Sequence, residues 1–400
     1  MDGGVEQFGV VLLVAATVAT IARRLKLPYT VGLVLGGLAL GFAPIAKDWG
    51  LTRTLLFSTL LPPLVYEAGL NIKWPELKRS LFPVLVLATL GLGLSALVVG
   101  SGMSLIAGWP IGVAALFGIL ISATDPVSVV AMMKDTKVGG RLRLLMEAES
   151  LFNDGTAAVG FTIMVALIGG TQFNGFSTAL EFIRIAGGGV LCGGLVAGVC
   201  LFLAGRTDDD LVTTAFSVVS AYSSFLIAEE FHFSGVLAAV VAGLVFGNLG
   251  HMAVNDEDGH EALVGFWEFG AFVANSFVFL LMGVRLSQTK FAGPVMPVVL
   301  AIVLALVGRA AAVYVCGAAF SKSVHKIPLG QMHVLTWGGL RGALSLALVL
   351  GLPDTFPDVE ALRLTTFCVV VFSVLVQGIT VGPLLRRIAG SSPPVAPEPG

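Results

Sequence analysis

The sequence predicts an all-α polytopic membrane protein of about thirteen transmembrane helices, built as inverted repeats around two crossing, interrupted helices. Three features carry that prediction. Of the 400 residues, 56% are hydrophobic and 12% are charged, with a mean hydropathy of +0.94, whereas a soluble domain has about 25% charged residues. The apolar residues fall into runs long enough to cross a hydrocarbon core about 30 Å thick, which takes roughly 20 residues of helix. Two of these runs, one in each half of the chain, hold a charge beside helix-breaking residues. A net charge of −2 gives no basic footprint for nucleic acid. Cys192, Cys200, Cys316 and Cys368 lie in apolar runs without metal-ligand spacing and read as packing residues.

In chain order the spans are expected at approximately residues 5–22, 27–46, 51–72, 80–107, 111–133, 142–169, 181–204, 209–228, 233–249, 262–284, 292–320, 330–352 and 362–387. The first follows MDGGVEQFGV, whose Asp2 and Glu6 stand where a cleaved signal peptide would be basic. After the last, SSPPVAPEPG at 391–400 is too polar and proline-rich to order itself and is expected to be a disordered tail. Of the 23 Lys and Arg, fifteen fall in loops after odd-numbered spans or at the C-terminal end, from Arg23 and Arg24 to Arg386 and Arg387. Six, including Lys47, Arg184 and Arg363, fall on the other side. That bias predicts an outside N-terminus and a cytoplasmic C-terminus. Arg309 and Arg341 remain, inside spans, and need partners.

Span five reads IGVAALFGILISATDPVSVVAMM, with Asp125 between Thr124 and Pro126. Proline removes a backbone donor and clashes with the preceding turn, so the helix should break at membrane depth. Freed backbone is tolerated there only when buried in protein or facing a polar cavity, and an intramembrane carboxylate is costly enough to mark function. Span twelve, QMHVLTWGGLRGALSLALVLGL, has Gly338, Gly339 and Gly342 around Arg341; they weaken the helix and also permit close packing. Spans five and twelve cross in opposite senses, the sign of an inverted-repeat transporter with its site at the midplane.

Span six carries ESLFNDG at 149–155. Residues four apart share a helix face, so Glu149 stacks with Asn153 and Ser150 with Asp154. Asp154 lies about 18 Å along the helix from Leu142, near the bilayer centre, and Asp125 reaches a similar depth from the other face. Desolvation disfavours the charged form of such a carboxylate. It can hold a proton, or release it when a cation takes its place. Asp154, the Ser150 hydroxyl and carbonyls freed near Thr124 offer hard oxygen ligands for an alkali cation. One site with two exclusive occupants is the minimal chemistry of exchange. Glu149 is the expected salt-bridge partner of Arg341 by depth, while Arg309 has no evident mate. Glu67, near the cytoplasmic end of span three, fits either a headgroup-level residue beside Lys73 or a site residue. Glu229 and Glu230, Asp208 to Asp210, and the acids of 255–261 read as solvated.

Four motifs in this order resemble the NhaP-type sodium/proton exchangers of the monovalent cation/proton antiporter superfamily: ATDPVSVV (123–130), EAESLFNDGTA (147–157), AEEFHFSGVLAAVVAGLVFGN (228–248) and WGGLRGALSLAL (337–348). The resemblance covers roughly residues 8–388. It implies an NhaA-like antiporter fold of thirteen spans within residues 1–390, with a dimerisation part near 5–72 and 209–284. A moving core near 80–169 and 292–387 and a linker helix near 181–204 complete it. It further implies a homodimer in the lipid of a bacterial-type plasma membrane, elevator-type alternating access, and no cofactor beyond the transported Na+ and H+. By the same resemblance Asp154 is the essential ion-binding aspartate, with Ser150 and Thr124 as ligands of the Na+ and Glu67 an acidic residue closing the site. Asn153 belongs to the Asn-Asp pair of the electroneutral branch, Glu149 and Arg341 form the buried ion pair, and Asp125 neutralises helix ends at the crossing.

Oxygen ligands alone do not fix cation size, so potassium/proton exchange stands beside sodium/proton exchange. A cation channel could use the same carboxylates, without proton countermovement. An intramembrane aspartyl protease would need Asp125 and Asp154 as its dyad, and no signature of one is present. The expected protein is a secondary transporter, not an enzyme.

Overall fold

A computed structural model describes residues 2–25, 27–46, 49, 52, 54–136, 138–172, 174–206, 209–250, 257–288 and 295–389. The expected tail at 391–400, Asp208 and the loop residues 251–256 lie outside them. All regular secondary structure among the described residues is helical.

The chain opens with α1 (Asp2–Leu25) and α2 (Tyr29–Leu40). A π-helical turn at Leu55–Leu60 leads into α3 (Leu61–Leu70), with Pro62 and Pro63 in its first turn. α4 (Trp74–Val86) and α5 (Leu92–Ala107) are joined through a second π turn, Leu87–Gly91, into one apolar helix of 34 residues. The expected fifth span is two pieces, α6 (Ile111–Ser122) and α7 (Val127–Asp135). Ala123 is already extended (φ −59°, ψ 140°), so the break lies on the N-terminal side of Pro126, where the ring excludes helical backbone.

α8 (Arg141–Ile168) runs unbroken through ESLFNDG. α9 (Gly175–Ala204) starts six residues before the expected 181, because Asn174 and Ser177 form a reciprocal capping box. α10 (Asp210–Glu230) is capped by Asp209 and α11 (Gly235–Leu249) by Ser234. Two acids read as solvated thus have capping duties: Asp209 accepts from Leu211 N–H at 2.8 Å, and Glu229 from Gly235 N–H, the first residue of α11, at 3.0 Å. α12 (Glu257–Gln288) also begins earlier than expected.

α13 (Val295–Ala319) precedes the second broken span, α14 (Leu329–Trp337) and α15 (Ala343–Leu350), interrupted at Gly338 to Gly342. α16 (Val359–Phe372), a π turn at Ser373–Gln377 and α17 (Gly378–Ala389) complete the chain. Seven of these helical segments are long and apolar enough to cross a membrane, and five shorter apolar helices accompany them.

The helices sort into two packed groups. α1, α2, α3, α9, α10, α11 and α12 pack on one another, and α4 to α8 pack with α13 to α17. α8 is the seam between them, touching α3, α9 and α11, while α12 meets α15. Large apolar side chains point outward around the assembly, among them Leu13, Leu97, Leu105, Ile111 and Leu195. Polar side chains instead collect inside: Glu149, Ser150, Asn153, Thr124, Arg309 and Arg341 are all buried. An apolar exterior around a polar interior is the distribution a lipid solvent imposes.

Candidate functional site

The two broken spans meet backbone to backbone. Asp125 N–H donates to Leu340 C=O at 2.8 Å, an isolated antiparallel bridge that fastens one interruption against the other. Four helix ends are therefore held near the middle of the molecule, two positive N-termini (α7, α15) and two negative C-termini (α6, α14).

Charged side chains answer these ends. The Asp125 carboxylate accepts from Val127 N–H at 3.0 Å and from the Ala343 amide, the first residues of α7 and α15. Arg341 donates to Ser122 and Ala123 C=O at 3.0 and 3.2 Å, at the end of α6, and to Ala305 C=O at 3.3 Å. Arg309 donates through Nε and Nη2 to Leu335 C=O, in the last turn of α14, at 3.1 and 2.9 Å. The glycines of span twelve allow this crowding. A Cβ on Gly342 would sit 2.1 Å from Asp125 Oδ2, and one on Gly339 would sit 2.5 Å from Arg309 Nε.

The buried ion pair differs from the expected one. Glu149 pairs with Arg309, Oε1 to Nη1 at 2.7 Å and Oε2 to Nη2 at 2.9 Å. Arg341 is not the partner, because its guanidinium is committed to the carbonyls at the end of α6. The bidentate geometry and side-chain exposures of 7% and 2% for Arg309 and Glu149 mark a fully desolvated pair. This also supplies the mate that Arg309 lacked in the sequence.

Asn153 is held from three directions: its Oδ1 accepts from Thr124 N–H at 3.1 Å, and its Nδ2 donates to Thr124 Oγ1 at 2.8 Å and Glu149 Oε1 at 3.1 Å. Ser150 hydrogen-bonds the Thr124 carbonyl and lies 3.1 Å from Thr124 Oγ1. α8 and the α6–α7 break are thus stitched together by polar side chains of the ESLFND segment. The opening of Arg341's own half-helix is fixed in turn, Arg341 N–H donating to Ser373 Oγ at 2.9 Å in the π turn, and Gln377 reaching back to Trp337 C=O at 3.0 Å.

Beside this framework lies a cavity of about 90 Å³. Thr124, Asp125, Ser150, Asp154 and Glu67 all line it, so five of the residues singled out in the sequence converge, while Asn153 stands behind the wall. Glu67 also accepts from Asn71 Nδ2 at 2.5 Å. The neighbouring polar groups are committed to partners, whereas no hydrogen bond or ion pair reaches the Asp154 carboxylate among the described residues. A carboxylate with free oxygens, sharing a small and largely apolar cavity with hydroxyl side chains, can take a proton or a small cation in turn.

Two lining residues were missed by reading the sequence. Asn275, 4% exposed, enters from α12 and hydrogen-bonds the Tyr29 hydroxyl. With the neighbouring Ser276 it interrupts an apolar stretch, a signal that intramembrane polarity could have flagged. Glu147 lies seven residues before Asp154, on the same helix face, and helical periodicity could have found it.

Comparison with known proteins identifies the family. The family model "Sodium/hydrogen exchanger, transmembrane" matches residues 10–387. The Na(+)/H(+) antiporter ApNhaP of Aphanothece halophytica is 38% identical over 390 residues, covering 96% of this chain and 74% of that protein. The Na(+)/H(+) antiporter NhaH of Halobacillus aidingensis is 36% identical over 397 residues, covering 96% and 97%. The solved structure of the sodium proton antiporter MjNhaP1 from Methanocaldococcus jannaschii shares the fold, with a TM-score of 0.78 at 21% identity over 97% of this chain and 99% of that one. With the family match running across nearly all of the helical framework and both broken spans, the chain is a polytopic membrane protein of the sodium/hydrogen exchanger family.

Proposed function

We propose that this protein is an electroneutral sodium/proton antiporter in which one Na+ and one H+ compete for Asp154. The observation that carries the reading is the Asp154 carboxylate, whose oxygens are unengaged in a cavity it shares with Ser150, Thr124 and Asp125. The relatives named as Na(+)/H(+) antiporters support the same ions as cargo. Asn153 contributes an amide where a second acid would add a second titratable charge, and the amide is consumed in bracing the helix break. One cation therefore replaces one proton and the membrane potential does not drive the cycle.

In this reading each broken pair, α6 with α7 and α14 with α15, counts as one crossing. The chain then crosses about thirteen times, as two inverted repeats, with the N-terminus outside and the C-terminus in the cytoplasm. The group α4 to α8 with α13 to α17 is the moving core. The other group is the stationary scaffold that pairs with a second copy in the plasma membrane, and α9 links the two. Glu67, on the scaffold side of the cavity, faces the cargo in this state.

The test is exchange in liposomes with an acid interior and a trapped pH dye, adding sodium, lithium or potassium outside, with Asp154→Asn alongside. Cation-dependent recovery that vanishes in Asp154→Asn is expected. Its absence in correctly inserted wild-type protein refutes antiport, and the rank of cations decides sodium against potassium.

A further inference from the structure

Glu147 stands at the edge of the ion cavity, outside every role assigned above. Glu147, Ser150, Leu151 and Asp154 occupy positions i, i+3, i+4 and i+7 of α8, one face of the helix, and all four line the cavity. Three of them bear oxygens, a ladder covering about 10 Å of helix axis from Glu147 to Asp154. One turn further toward the start of α8, Arg143 Nε lies 2.8 Å from Glu147 Oε1, the two side chains being 33% and 20% exposed.

That pair is built to be broken. It is single-toothed, partly solvated, and has the basic residue on the N-terminal side of the acid, the less favourable order on a helix. The Arg309–Glu149 pair, two residues further along α8, is bidentate and desolvated, and cannot exchange partners cheaply. Glu147 is therefore the charged oxygen group in the wall of the cavity whose counter-ion an arriving cation can replace.

We propose that Glu147 is a recruiting residue for the transported cation: a monovalent cation displaces Arg143 from Glu147, then passes along Ser150 to Asp154. Arg141 and Arg143 belong to the basic, cytoplasmic side of the chain by its charge bias. Glu147 therefore serves cations arriving from the cytoplasm, and the cavity faces that side. Its negative charge raises the local cation concentration at the mouth, an effect that added salt screens.

This inference rests on the antiport reading, and the experiment separates the two. Wild type, Glu147→Gln, Glu147→Asp and Arg143→Gln are placed in liposomes in a determined orientation. The KM for sodium and the maximal rate are then measured with sodium on each face in turn, at low and high ionic strength. Expected for Glu147→Gln is a KM raised severalfold with sodium on the cytoplasmic face only, a nearly unchanged maximal rate, and a loss of salt dependence. Glu147→Asp keeps the wild-type KM, and Arg143→Gln lowers it on that same face. An unchanged KM in Glu147→Gln, an equal rise on both faces, or a loss shared by Glu147→Asp overturns the proposal. A wild type that exchanges nothing overturns antiport itself.

Discussion

Arg309 and Glu149 show how a single pair of residues can be indispensable without being favourable. Two charges removed from water recover their desolvation cost only through close, complete pairing, which the bidentate contacts at 2.7 and 2.9 Å provide. Glu149→Ala leaves the Arg309 guanidinium buried and half-paired. It is expected to destabilise the protein by about 3–5 kcal/mol, read as an early thermal transition in detergent. Glu181→Ala removes only a half-buried partner of the exposed Arg184, a contact of 3.6 Å with exposures of 55% for Arg184 and 28% for Glu181. It should cost about 0–1 kcal/mol. Equal losses in the two variants would contradict the burial argument. Gly342→Ala tests the other tight point. Its methyl group would meet Asp125 Oδ2 at 2.1 Å and Asp125 Cβ at 2.3 Å, so the crossing must open. A loss of about 1–3 kcal/mol or more is expected, together with loss of exchange.

At the scale of elements, the broken spans solve a problem that continuous helices do not have. Each interruption leaves backbone donors and acceptors where no water replaces them, and every end must be answered by the protein. One carboxylate, Asp125, answers two N-termini through Val127 and Ala343, and Arg341 and Arg309 answer the two C-termini. Asp125→Asn keeps an acceptor oxygen but removes the charge from both positive ends. A loss of about 1 kcal/mol or more is expected from the helix-end contribution, with exchange slowed in the same liposome assay. Asn174→Ala, by contrast, removes only the cap of α9. It should lower stability by about 1 kcal/mol and leave the KM for sodium unchanged. A KM shift in Asn174→Ala would show that α9 is coupled to the site.

For the whole molecule, the cavity lies where the two helix groups face each other, with Leu61, Leu64 and Glu67 of α3 and Asn275 of α12 on one side and the broken spans and α8 on the other. Elevator exchange requires these groups to slide past one another. The Thr30 and Ser128 hydroxyls, 0% and 4% exposed, hydrogen-bond across that boundary from α2 to α7. Hydroxyl groups this close place two cysteines within reach of a disulfide. In a background with Cys192, Cys200, Cys316 and Cys368 replaced, Thr30→Cys with Ser128→Cys is expected to stop exchange on oxidation and to recover it on reduction. Undiminished exchange in the oxidised protein would mean that this boundary does not move. Electroneutrality is tested at the same scale: an imposed membrane potential should leave the exchange rate unchanged, and a strong dependence would refute the one-for-one count.

The all-helical membrane class, both interruptions and the cavity residues Thr124, Asp125, Ser150 and Asp154 were legible in the sequence for local reasons. Helical periodicity places Ser150 under Asp154, proline and glycine end helices wherever they sit, and membrane depth follows from counting residues. Which partner each buried charge takes was not legible. Glu149 has two arginines at comparable depth, and only the packing of α13 beside α14, with Arg341 turned to the end of α6, assigns Arg309 to it. Asn275 joined the cavity for the same reason, because it arrives on a helix remote in the chain whose facing side only tertiary packing selects. Depth and helix face are properties of one segment and can be counted along the sequence. Partnership between segments depends on which helices are neighbours and how each is rotated, and that is decided by the packed structure.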